Sequence, residues 1–222
     1  MRETNLRIVL FSFLIASFFA VGASFGAEDR PQRTITVCAL NDTAAAMVDD
    51  RETPPVSKES IREIIDEASK EYEANVGIRF ELAEYHEIGI PVISLESEIK
   101  LLRSFCPGQE LVVVFSNQEA LSFDSSGNLK SPLGSGNPEY GIVWIYRVDF
   151  RNHKKSGYSP KTTLVHEIGH LFLGKEHSPK GGDFMNKYAN SDAWSEKLRR
   201  EIRSNIHYKW KTEYEPKEGE AK

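Results

Sequence analysis

Five consecutive apolar residues, Leu111-Val112-Val113-Val114-Phe115, limit the possible folds more tightly than any other stretch of this chain. Successive side chains of a strand point to opposite faces, so a strand with one wet face alternates apolar and polar residues. Leu111 to Phe115 does not alternate, and a strand of this kind is covered on both faces, as in the middle of a layered α/β sheet. The flanking segments supply the layers. Arg33 to Leu40 reads as a β-branched first strand ending at Asn41-Asp42. After Pro54-Pro55, Ser57 caps a helix in which Ile61, Ile64, Ile65, Ala68, Tyr72 and Val76 recur at helical spacing. Val56 and Ile61 suit a hydrophobic staple at its start, and Gly77 ends it. Ile78 to Tyr85 alternates as a half-buried strand does.

Further along, Ser94 to Phe105 reads as a shorter helix stopped by Pro107-Gly108. Residues 122–140, rich in Ser, Gly, Asn and Pro, read as a long loop, and Gly141 to Val148 as another strand. Ser159 with Pro160 opens a helix. Trp194, Leu198, Ile202, Ile206 and Trp210, each four residues from the next, give a last helix one apolar stripe for the core. Strands that alternate with helices predict a single α/β domain with a mostly parallel sheet. The expected extent is 33–212, with a polar tail over 213–222 and no internal repeat or interdomain linker.

The N-terminal residues differ in kind. Arg2 and Arg7 precede an apolar run from Ile8 to about Phe25, and charge returns at Glu28. This predicts a signal peptide over 1–27, cleaved near 23–27, or else an uncleaved anchor, and in both cases export of the remainder to a secreted, periplasmic or extracellular location. The membrane is a partner only if the segment stays uncleaved. A net charge of −5, with charges well mixed, excludes a nucleic-acid surface, and a monomer is expected. Cys38 and Cys106 are the two cysteines: paired, they close a loop of about 69 residues, a stabilisation of about 4 kcal/mol, and unpaired, they are buried thiols.

The chemistry-bearing motif is His166-Glu167-Ile168-Gly169-His170, of the form HExxH. Two His four apart on a helix differ by about 40° around its axis, so both imidazoles reach one metal ion. Glu167, about 100° further round than His166, reaches a water on that metal instead of the metal. Zn²⁺ is the expected cofactor, with Glu167 taking the water's proton as a carbonyl is attacked. Leu164, Ile168, Leu171 and Phe172 fall on the side away from the His pair, which places the pair on a cleft.

Downstream, HEIGHLFLGKEHS is followed by PKGGDFMN. Gly174, His177 three residues later and Met185 eight beyond that resemble the metzincin signature with its methionine turn, closest to the matrixin branch, which also has the His177-Ser178 pair. The resemblance implies a zinc-dependent metalloendopeptidase acting on peptide or protein substrates, a zincin-like fold with an antiparallel edge strand, an active-site helix and a C-terminal helix, His177 as third ligand and Met185 beneath the metal. It also implies that the loop 122–140 and the following strand form the substrate-binding edge. Three residues, Leu171, Phe172 and Leu173, separate His170 from Gly174 where the family has two. An acidic third ligand, Asp183 or Glu196, is the alternative, as is a non-catalytic zinc-binding exported domain. Tyr188 is either an oxyanion donor or a packing residue, whereas His86, His153 and His207 have no spacing partners.

Overall fold

Strands β1 (Arg33–Asp42), β4 (Ile78–Ile88), β5 (Leu111–Phe115), β8 (Gly134–Asn137) and β9 (Ile142–Ile145) make a sheet in the order β4-β1-β5-β9-β8. In this computed structural model the described residues are 33–44, 46–48, 51–89, 98–118, 122–123, 129–130, 132–146, 159–174, 177–178, 182–186, 191 and 193–215. The apolar N-terminal run, Tyr188, His153 and the tail beyond 215 lie outside them, as does the stretch in which the Ser94 helix start was expected. Two short antiparallel ribbons also lie among the described residues: β2 (Ala46–Val48) with β3 (Arg51–Thr53), and β6 (Ser122–Phe123) with β7 (Leu129–Lys130).

The sheet is parallel across β4-β1-β5-β9, and only β8 runs antiparallel, against β9. All five residues of β5 are buried, as a strand apolar on both faces requires. Helices α1 (Lys58–Val76), α3 (Pro160–Leu173) and α4 (Glu196–Ser204) share one apolar cluster with one sheet face. Helix α2 (Ile99–Phe105) packs on the other, where Cys38, Leu40, Val112 and Val114 point. Cys38 of β1 and Cys106, just after α2, form a disulfide with Cα atoms 5.9 Å apart, so the pairing left open above is made.

Local signals explain the helix ends. The Ser57 hydroxyl accepts from the Ser60 amide, and Gly77 closes α1 in the left-handed conformation (φ 76°). Ser159 and Thr162 form a reciprocal capping box at the start of α3, with Pro160 in the first turn.

Three expectations need correction. The stripe from Trp194 to Trp210 is not one helix: α4 ends at Ser204, and Ile206 and Trp210 reach the core from a turn and an irregular segment. The strand expected over 141–148 covers Ile142–Ile145. Most consequentially, the predicted loop contains the edge strand itself, Gly134-Ser135-Gly136-Asn137. Glycine is a poor strand former by propensity, but close approach of another backbone element can require it.

Candidate metal centre

Helix α3 is covered on all sides where the motif sits. Every residue from Thr163 to Phe172 is buried, including His166 (3% exposed), Glu167 (7%) and His170 (9%). The expected division into an apolar side and an open His side therefore does not hold. Two neighbours cover the polar side, and glycines admit both. A Cβ at Gly136 of β8 would lie 3.1 Å from the Glu167 carbonyl oxygen and 3.6 Å from His170 Cβ, so the edge strand rests on the helix backbone. A Cβ at Gly169, between the two His, would collide with Met185 Sδ and stand 2.7 Å from Phe184 Cε2. The segment Phe184-Met185-Asn186 thus forms an apolar floor under this turn of the helix, with Met185 almost wholly buried.

The same segment orients the first histidine. His166 Nδ1 donates to the Phe184 carbonyl at 2.7 Å, and His170 Nδ1 donates to the Gly174 carbonyl at 2.8 Å. With both Nδ1 protons committed, both Nε2 atoms carry lone pairs, the state in which imidazole ligates a metal. Those two Nε2 atoms stand 3.1 Å apart. Two nitrogens each about 2.0–2.1 Å from a tetrahedral Zn²⁺ lie about 3.3 Å apart, so the spacing fits one shared cation. His177 completes the group: ligand atoms of His166, His170 and His177 all lie within 4.8 Å of one another. His177 is exposed while its two partners are buried, so the group opens to solvent on the His177 side.

The additional residue before Gly174 is taken up by the helix. Leu171, Phe172 and Leu173 are all helical, and the Gly174 amide still reaches the His170 carbonyl at 2.9 Å. Gly174 then turns the chain with φ 80°, a conformation that favours glycine.

Burial sets the electrostatics. It lowers the His166 pKa to about 4, a shift reinforced by His170 and His177 and opposed by the hydrogen bond to Phe184. His170 is lowered by the same main cause, again against its backbone bond and with the help of His177. Burial raises Glu167 to about 8. Without a cation, His166 and His170 favour the neutral imidazole and Glu167 the protonated carboxyl. A dication reverses that preference for Glu167 by favouring its charged form.

Of the other nominated residues, Asp183 uses its carboxylate inside the turn, where Oδ1 accepts from the Met185 amide at 3.1 Å. Glu196 is exposed and pairs with Arg199 at 3.5 Å. Neither joins the His group. Cys38, Glu84 and His86 also converge, but Cys38 is committed to the disulfide. A cavity of about 410 Å³ lined by Val56, Ile64, Phe115, Ile145 and Pro160 contains none of the three His, so concavity alone points away from this centre. The Phe184 and Gly174 carbonyls and the β8 glycines escaped the sequence reading. Only the glycine pair left a signal, an alternation Gly134-x-Gly136 just ahead of a strand.

This architecture has a counterpart among solved structures. The archaemetzincin of Methanopyrus kandleri superposes with a TM-score of 0.52 at 12% identity, over 78% of this chain and 96% of that one. The fold is metzincin-like. A zinc-dependent peptidase of Methanocorpusculum labreanum (TM-score 0.45, 14% identity, 75% and 99% covered) and a malonate-bound archaemetzincin of Archaeoglobus fulgidus (0.45, 10%, 76% and 99%) are also similar. No family model matches the chain, and no curated protein matches it in sequence.

Proposed function

We propose that this chain is an exported zinc-dependent metallopeptidase in which His166, His170 and His177 hold the metal and Glu167 is the general base. The observation that carries the reading is the facing pair of Nε2 atoms 3.1 Å apart, each Nδ1 donating to a backbone carbonyl. Neutral imidazoles held lone pair to lone pair are suited to a cation between them. Held by His166, His170 and His177, Zn²⁺ would supply Lewis acidity toward a peptide carbonyl and toward water. The Glu167 carboxylate accepts a proton from water and returns it to the departing amine. Met185 packs beneath the His-bearing turn and fixes its height, and the Phe184 and Gly174 carbonyls fix the imidazole planes. The edge strand β8 is suited to align an extended peptide by strand addition.

Likeness of fold to an archaemetzincin supports the metzincin-type reading. The eight-residue interval from His177 to Met185 favours a matrixin-like turn, while the longer helix end sets the chain apart from that branch's signature. Export is supported by the N-terminal charge and apolar pattern and by the Cys38–Cys106 disulfide, since disulfides persist in oxidising compartments.

Protein purified without chelator is expected to carry about one zinc per chain and to cleave casein in a chelator-sensitive manner. A His166→Ala, His170→Ala double variant is expected to carry none. Wild-type protein without zinc, or the same zinc content in the double variant, removes the proposal. If His177→Ala keeps its zinc while Asp183→Ala loses it, the third ligand moves to Asp183.

A further inference from the structure

A Cβ built on Gly134 would lie 2.6 Å from Glu167 Cγ, 2.9 Å from Glu167 Oε1 and 2.9 Å from the Trp144 carbonyl oxygen. Two of those three atoms belong to the side chain assigned here as general base. Real Cβ atoms do not approach so closely, so any side chain at this position displaces either Glu167 or the strand. Backbone torsion does not require the glycine, because Gly134 lies outside the left-handed region. Space is what it provides. On the next inward-facing position, Gly136 meets the main-chain oxygen of Glu167 and not its carboxylate. Gly134 is therefore the point at which the edge strand touches the Glu167 carboxylate.

We infer that Gly134 is a positioning residue: its missing side chain makes the slot in which the Glu167 carboxylate is held, and the β8 backbone fixes that carboxylate's place. The opposing register supports the slot, since Gly134 pairs with Ile145 and Ser135 with Trp144, which anchors β8 to β9 on its other side. Glu167 is thus held between its own helix and the strand expected to align substrate. Any shift of that strand is transmitted to the carboxylate by direct contact. The inference rests on the reading of Glu167 as general base.

Two measurements test it. In a thermal-unfolding cycle, Gly134→Ala is compared in the wild-type and Glu167→Ala backgrounds. Removing Cγ and Oε1 removes two of the three collisions, so Gly134→Ala is expected to lower Tm less than half as much in the Glu167→Ala background. Equal loss in both backgrounds overturns the inference and assigns the collision to Trp144. If Gly134→Ala alone does not fold, a folded double variant supports the inference and an unfolded one overturns it. In the second measurement, Gly134→Ala is expected to reduce kcat by at least about 100-fold, the scale of a misplaced general base, with KM within about threefold and one zinc retained. A kcat within about threefold of wild type, or a loss traced to zinc or KM, overturns it. Absence of peptide cleavage by the wild type defeats the proposed function, whereas the unfolding cycle still reports on the slot.

Discussion

Helices α1 and α3 lie side by side on one face of the sheet, yet they meet solvent in opposite ways. Of the 19 residues of α1, Ile61, Ile65, Ala68, Tyr72 and Val76 are turned inward, and Glu59, Arg62, Glu63, Asp66, Glu67 and Lys70 are left in water. Its burial follows its sequence period. Helix α3 buries ten consecutive residues, and three of them titrate. Its burial does not follow that period, and it lowers the His166 pKa to about 4 and raises that of Glu167 to about 8. One helix is built for stability and the other at the expense of it, and substitutions distinguish them.

The largest expected effect comes from Glu167→Gln, which keeps shape and removes the base. Peptide hydrolysis is expected to fall by about 10²–10⁴-fold, while the Tm of the metal-free protein stays equal or rises because a group driven from its ordinary ionisation is gone. A fall in Tm of several degrees breaks the contrast between the helices. On α1 the reverse holds. Ile65→Ala empties a core position and is expected to destabilise the protein by about 2–5 kcal/mol while leaving one zinc per folded chain. Denaturant titration alongside metal analysis checks both halves, and loss of zinc from the folded variant contradicts the division.

The pH dependence of the chelator-stripped protein sharpens the contrast. Folded Glu167 keeps its proton up to about pH 8, whereas the unfolded chain releases it near 4.5, so the folded state binds more protons between those values and stability falls as pH rises. His166 acts oppositely: unfolded it binds a proton below 6.5, folded only below about 4, so stability rises with pH in that window. From pH 6.5 to 8 only the Glu167 limb remains. Metal-free wild type is expected to lose stability over that interval, and Glu167→Gln is expected to be nearly flat; equal slopes for the two proteins defeat the assignment. The smallest effect lies where the helices touch. The buried Tyr72 hydroxyl donates to the Val165 carbonyl of α3 at 2.9 Å, and Tyr72→Phe is expected to lower stability by about 1 kcal/mol. Unchanged unfolding of that variant means the bond contributes nothing to joining the helices.

Much of the layered fold is visible in single residues. Five apolar residues in a row placed β5 at the centre, and Ser57, Gly77, Ser159 and Pro160 placed helix ends to within a residue. These signals are local: a cap acts within one turn, and a two-faced strand is apolar throughout. The edge strand resembles a loop in sequence because Gly134 and Gly136 are set by their contact with α3, which is distant in sequence. The stripe ending at Trp210 resembles a helix in sequence because apolar spacing does not reveal that Asn205, just past the end of α4, donates its side chain to the Phe172 carbonyl. At the centre, His166 and His170 were legible from their spacing. The carbonyls that orient them were not, because every residue carries a carbonyl and only tertiary geometry selects Phe184 and Gly174.

The bond from His166 Nδ1 to the Phe184 carbonyl spans 18 residues, and Phe184 is itself clasped by the Trp194 and Tyr72 rings, with centroids 4.3 and 6.4 Å away. One hydrogen bond thereby ties the imidazole plane of His166 to an aromatic clasp that joins α1 to the segment ahead of α4. Repacking of that clasp is passed to the imidazole through a single carbonyl oxygen.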